Sequence, residues 1–284
     1  MERSRLGDLL FRATHPRGWV RAAIALAVTV LALGLRLRAA ALLPIDYDED
    51  DYLRAGQQIA EAIRAGDWAA LTELNYRTEH PQLGKLVYGV ALATLPAVAE
   101  IPDRPSSAPP AGSLPQPHLR TARTVAVALS AVEVLLLALI SPAAGLSLAV
   151  HTFTIKYTSQ VMLEALPAFT SALALVAYVQ ASRRAQVGLN GWHFLSAIAL
   201  GLTAAGNSLY CVVGLAILAD WLRRTWPEPH PRLASLWQWL WPMAAWGGLA
   251  VSAFLLSSPY LWPDPVGRLG TSLLFHGGYA TGDH

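Results

Sequence analysis

Apolar residues run through this chain in blocks of up to about twenty-five, the length an α-helix needs to cross the hydrocarbon core of a bilayer. The blocks fall at 19–43, 81–99, 119–140, 143–157, 162–181, 191–206, 207–222 and 236–256. The pattern predicts an all-α integral membrane protein, a multispanning helical bundle with about seven transmembrane helices. The first polar interval, 44–80, contains amphipathic pieces such as DYLRAGQQIAEAIRAGDWAAL (51–71), which predict juxtamembrane helices in an outer loop. Residues 100–118, IPDRPSSAPPAGSLPQPHL, are rich in proline and serine and read as a loop.

Composition agrees with a membrane setting: 54% of residues are hydrophobic and 14% charged, and the mean hydropathy is +0.38. A net charge of +2 gives no support to nucleic acid as a partner. Cys211 is the only cysteine, so neither an internal disulfide nor a cysteine metal cluster is available. The basic N-terminus precedes an apolar segment too long for a secretory signal, so 19–43 reads as an uncleaved first transmembrane helix.

Positive charge orients the chain. Arg3, Arg5, Arg12, Arg17 and Arg21 place the N-terminus in the cytoplasm, and Arg183 with Arg184 and Arg223 with Arg224 mark two further cytoplasmic loops. The number of crossings between the first two marks must be even, yet five apolar segments lie there. One of them does not cross: either 81–99, interrupted by Gly84, Lys85, Gly89 and Pro96, or the short 143–157, with His151 and Lys156. Both choices leave 44–80 and the neighbourhood of Glu164 outside. The chain divides into a cytoplasmic N-terminus (1–18), a first crossing (19–43), an extracytoplasmic loop (44–118), a helical module (119–256) and an outer segment (257–284). The last stretch shows no terminal helix and reads as the N-terminal part of something longer. A multi-pass protein of the plasma membrane is expected, with its working face extracytoplasmic.

Five acids occupy six positions in PIDYDEDDYLRAG (44–56), next to the end of the first apolar block. Charge runs are usually solvated faces, but ionisable groups beside the hydrocarbon are costly unless paired or used. Downstream, NYRTEHPQLGKL (75–86) brings Arg77, His80 and Lys85 to the same face. Such a set suits general-base chemistry on a hydroxyl or the holding of a phosphate. Glu164, in YTSQVMLEALPAF (157–169), is an isolated carboxylate at the start of a transmembrane segment and a candidate by that position. His151 and Lys156 read as interfacial. WQWLWPMAAW (237–246) reads as an aromatic belt, and Gly145, Gly201, Gly206 and Gly214 read as close-packing positions.

The order of these motifs resembles the protein O-mannosyltransferase-like branch of the GT-C glycosyltransferases, glycosyltransferase family 39. The matching features are DEDDY (48–52), EHPQLGKL (79–86), Arg123 in an apolar helix, MLEALPAF (162–169) and SPYLWPDPVGRL (258–269). The resemblance spans about 20–284. It implies a GT-C-type bundle that moves a sugar, mannose in the best-known cases, from a polyprenyl-phosphate donor to a hydroxyl acceptor on protein or glycan at the extracytoplasmic face. Asp48 and Glu49 would be catalytic, with Asp48 the general base. Tyr52, His80, Lys85, Arg123 and Glu164 would bind substrate, Lys85 and Arg123 near the donor phosphate. No organic cofactor is implied; a divalent metal between Asp48 and Glu164 is an open option. The resemblance also favours 81–99 as the segment that does not cross. Two departures stand out: Gln82 replaces a second proline, a change expected to be neutral, and Asn207 stands where relatives often carry a lysine. Asp46, Asp50 and Asp51 are expected to be solvated charge. The competing readings are a polytopic transporter or flippase using Glu164 and His151, and an inactive relative acting as a membrane scaffold.

Overall fold

A computed structural model describes residues 18–102, 113–183, 188–226 and 233–281. The N-terminal arginines at 3, 5, 12 and 17, and Arg184, lie outside the described residues. Among those described there are helices and no strands. Helix α1 spans Gly18–Leu42 and α2 Glu49–Ala65. The first turn of α2 holds Glu49, Asp50 and Asp51, where negative charge suits the positive end of the helix dipole. Gly66 ends it at φ 70°, a left-handed conformation that glycine adopts without a Cβ penalty. Helix α3, Leu83–Leu92, has only ten residues and packs on α2 through Gly56 and Gly89. A Cβ at Gly89 would lie 2.3 Å from Ile59.

Helix α4, Gln116–Ile140, runs antiparallel to α1. Arg21 Nη2 reaches the Ile140 carbonyl at one end, Arg36 Nε meets Ser130 Oγ in the middle (2.7 Å), and Arg123 Nη1 meets the Ala40 carbonyl (2.7 Å) at the other. Two short helices follow, α5 (Pro142–Val150) and α6 (Thr152–Tyr157), the second begun by His151, whose Nδ1 accepts from Thr154 N. Starting beside Arg21, the chain passes Arg36, which binds the Leu148 and Ala149 carbonyls. It arrives where Lys156 pairs with Asp46 (2.9 Å) and Gln160 donates to the Pro44 carbonyl (2.9 Å). Segment 143–157 therefore travels the full height of the bundle, whereas 81–99 supplies only the ten-residue α3.

Helix α7 (Ala165–Arg183) returns, and α8 (Gly191–Gly206) lies antiparallel to it through Ser196 to the Ala174 carbonyl and Thr203 to Thr170. A 3-10 turn at Ser208–Cys211 leads into α9 (Val212–Thr225), then α10 (Leu233–Leu256), which contains Pro242. The expected close-packing glycines are confirmed: a Cβ at Gly201 would sit 2.3 Å from the Ala250 carbonyl oxygen, and Gly145 and Gly214 abut Ala138 and Leu200. After a 3-10 turn at Pro259–Leu261 comes α11, Pro265–Thr281, a helix where the sequence led us to expect none.

Among the described residues, four helices are long and apolar enough to cross a membrane: Gly18–Leu42, Gln116–Ile140, Ala165–Arg183 and Trp239–Leu256. Their exposed leucines, valines and tryptophans mark a membrane-embedded helical protein. The expected seven crossings are not matched by seven such helices, because α5, α6, α8 and α9 each fall short of that length. Charge divides between the two ends. Arg21, Arg183, Arg223 and Arg224 lie at one, the last two paired with Asp220; the acidic cluster lies at the other.

Candidate active site at the acidic end

Glu49, the first residue of α2, points into the protein and is fully buried. Both carboxylate oxygens accept from Arg123, through Nε (2.9 Å) and Nη2, and the backbone N–H groups of Val161 (2.7 Å) and Asp46 (3.0 Å) add to them. Arg123 directs its remaining donors to the carbonyls of Ala40, Leu43 and Pro44, the unsatisfied C-terminal end of α1. All five guanidinium N–H groups thus have acceptors within the protein. Glu49 and Arg123 therefore tie α1, α2, α4 and the 158–164 segment together, and every Arg123 N–H is engaged within the protein.

Lys85 is likewise fully buried. Its ammonium donates to Asn75 Oδ1 and to the carbonyls of Tyr76, Arg77 and His80, at 2.7–3.1 Å. Burial pulls its pKa down to about 7, opposed by the fields of Glu79 and Asp51; the four oxygen acceptors also favour the charged form. To present its carbonyl, Arg77 takes φ 60°, left-handed and unfavourable for a residue with a Cβ. Its side chain is fixed by Asp51 Oδ2 at 2.6 Å. Lys85 shapes the 75–80 loop instead of meeting a donor. Gln82 is not the neutral replacement expected: its amide donates to the Leu71 and Leu74 carbonyls and accepts from Tyr260 N (2.8 Å), joining the first loop to the turn before α11. Asp50 and Asp51, expected to be solvated, are buried, and Asp46 is ion-paired.

Asp48 differs from its neighbours. It precedes α2 without capping it, and no cation pairs with it directly among the described residues. Burial first, then repulsion from Asp51 and Asp46, push its pKa up to about 6, despite a hydrogen bond from Tyr47 and the field of Arg77. Glu164 lies within its field. Burial pushes Glu164 up to about 7, with Asp48 and Asp46 adding to the rise, and its Oε2 is buried without a hydrogen-bond partner among the described residues. Tyr52 is buried close by, its phenol held well above its usual range by burial and by the fields of Asp48 and Glu164. The Tyr52 ring meets His80 edge-on, centroids 5.9 Å apart. Asp48, Glu164, Tyr52 and His80 therefore gather at one place, while Glu49, Lys85 and Arg123 form the frame around it.

Two buried charges within the long apolar blocks escaped the sequence reading. Arg36 is fully buried and Glu133 nearly so, with Glu133 Oε2 lacking a hydrogen-bond partner among the described residues. The signal was present: each is a charge inside a long apolar block. Among the described residues no group of three His, Cys, Asp or Glu side chains is placed to hold a metal ion; Asp48 and Glu164 would supply two ligands. Asn207, at the lysine position of the resemblance, accepts from Leu209 N and begins the 3-10 turn. No protein-family model matches the chain, and no curated protein matches it.

Proposed function

We propose that the protein is a membrane glycosyltransferase that moves a sugar from a polyprenyl-phosphate donor to a hydroxyl acceptor at the extracytoplasmic face. The reading takes the acidic end of the bundle as outside and the arginine-rich end as cytoplasmic. It takes seven passages as crossings: α1, α4, α5 with α6, α7, α8, α9 and α10. The observation that carries it is Asp48, a carboxylate raised to about 6 and without a directly paired cation, while Asp46, Glu49 and Asp51 beside it each have one. A base raised toward neutrality, with an aromatic and a second raised carboxylate beside it, suits deprotonation of a hydroxyl. In the transfer the acceptor hydroxyl gives its proton to Asp48 while its oxygen bonds to the anomeric carbon. The bond from that carbon to the donor phosphate oxygen breaks, and the phosphate leaves with the electron pair.

The roles differ from a residue-by-residue transfer of the resemblance: Glu49 and Arg123 position Asp48, Lys85 shapes the loop that carries His80, and Glu164 is a second raised carboxylate within the field of Asp48. Mannose and protein hydroxyls are the family's best-known substrates and the first pair to assay. The full chain in phosphatidylcholine nanodiscs, offered polyprenyl-phosphate sugars and a hydroxyl acceptor panel, tests the reading: product with wild type and none with Asp48→Asn supports it. Undiminished turnover by Asp48→Asn would sink it. A transporter reading draws on a different observation, the buried Arg36 and Glu133 inside the bundle. Solute flux lost in Glu133→Gln, with no glycosidic product from wild type, would favour it.

A further inference from the structure

A cavity of about 390 Å³ opens between the 75–82 loop, the end of α8, and α10 with α11. One wall is polar: Thr78, Glu79, His80, Ser208 and Ser258. Ser258 is buried, and its hydroxyl has no hydrogen-bond partner among the described residues, so the wall holds an unused polar group. The rest of the lining includes the apolar Leu209, Phe254, Leu269 and Leu273. Leu209 is 81% exposed and Leu273 62%, and Leu274 and Val266 continue the apolar surface along α11. In a membrane-embedded protein such a surface faces lipid. The cavity therefore combines polar groups with an apolar lining that continues into the exposed apolar surface of α11.

Its charge narrows the occupant further. Arg268 lines the cavity but donates to the Thr72 and Tyr260 carbonyls and pairs with Glu73. Glu79 contributes a carboxylate, so a phosphate or sulfate would meet a negative group and a cation already paired. Hydroxyls, amide and carboxylate suit a neutral polyol. His80 belongs both to this wall and to the ring contact with Tyr52, which feels the fields of Asp48 and Glu164. Asp48 is not among the lining residues, so His80 and Tyr52 are the link between this cavity and the candidate base.

We propose that this cavity seats the neutral, hydroxyl-rich headgroup of a membrane amphiphile, a glycolipid whose chains stay in the bilayer along α11. Its role as acceptor rests on the glycosyl-transfer reading above; its binding does not. The test uses the full chain in phosphatidylcholine nanodiscs with dodecyl β-glucoside carrying a diazirine on its chain, and maps the photo-crosslinks by mass spectrometry. Labelling is expected at Phe254 or within 269–273. It should fall more than about tenfold when Ala204→Trp fills the cavity, and about three- to tenfold in Ser258→Ala, the worth of one hydrogen bond. Equal labelling of the cavity by the corresponding dodecyl phosphate, or labelling indifferent to both substitutions, overturns the proposal. Displacement of the glucoside by a water-soluble Ser/Thr peptide also overturns it, in favour of a peptide site. Asp48→Asn keeps the crosslink, so loss of the transfer reading and loss of this one give different results.

Discussion

Glu49 and Asp48 are adjacent in the chain and opposite in circumstance. Glu49 meets a bidentate arginine and two backbone N–H groups and is fully buried; Asp48 meets a tyrosine hydroxyl and the repulsion of two other acids. The difference is one of direction: the first turn of α2 sends Glu49 toward α1 and α4 and leaves Asp48 at its mouth. A fully matched charge holds structure, and an unmatched one keeps its proton affinity available for chemistry.

The strongest way to break the contrast is to remove the match. Arg123→Ala leaves Glu49 and three carbonyls buried without their donor and should destabilise by about 3–5 kcal/mol, read as a lowered thermal midpoint in detergent or nanodiscs. Glu49→Gln should follow in the same direction; loss of transfer with an unchanged midpoint would instead return Glu49 to the chemistry. On the unmatched side, Asp48→Asn should reduce transfer by about 10²–10⁴-fold. Because its folded pKa is raised, the ionised Asp48 opposes folding: its stabilising contribution is complete below the ordinary carboxylate range and is lost as pH rises through about 6. The Asn variant should therefore melt no lower than wild type at pH 8, and a lower midpoint there would show Asp48 to be structural.

A smaller effect is expected at the loop. Lys85→Met removes the donor from four oxygens and should cost about 1–3 kcal/mol, with faster hydrogen exchange confined to 75–80. Exchange unchanged in that loop would contradict the clamp. Smallest is a shift in pH dependence. Transfer by wild type should rise with pH to a midpoint near 6 as Asp48 ionises. Asp51→Asn removes a negative neighbour of Asp48 and should move that midpoint to lower pH. A midpoint that stays in place would mean the two carboxylates do not couple.

Much of the architecture was legible because hydrophobic length is a one-dimensional signal: the blocks gave α1, α4, α7 and α10, and the arginine marks predicted which ends lie together. The even-crossing rule left two segments open, and only contacts distant in sequence, Arg36 to Leu148 and Lys156 to Asp46, separate them. Helix α11 was missed because glycines at 267, 270, 277 and 278 and flanking prolines resemble a loop until Arg268 and Ser272 anchor it to Thr72 and Glu79. At the site, residue type and order singled out residues that the fold does bring close, Asp48, Tyr52, His80 and Glu164. They did not reveal that Lys85 and Arg123 are saturated, since a donor's partners are backbone oxygens that no side-chain pattern records.

Arg36 reads differently once the chain is followed as it is made. Its acceptors on Ser130, Leu148, Ala149 and Thr158 all lie about a hundred residues downstream, so α1 enters the membrane carrying a guanidinium whose partners have not yet been synthesised. The first helix should then be held less firmly until α4 and the α5–α6 passage arrive. Nascent chains arrested before Ser130 should leave α1 more easily extracted than chains arrested after Thr158, and Arg36→Leu should erase that difference.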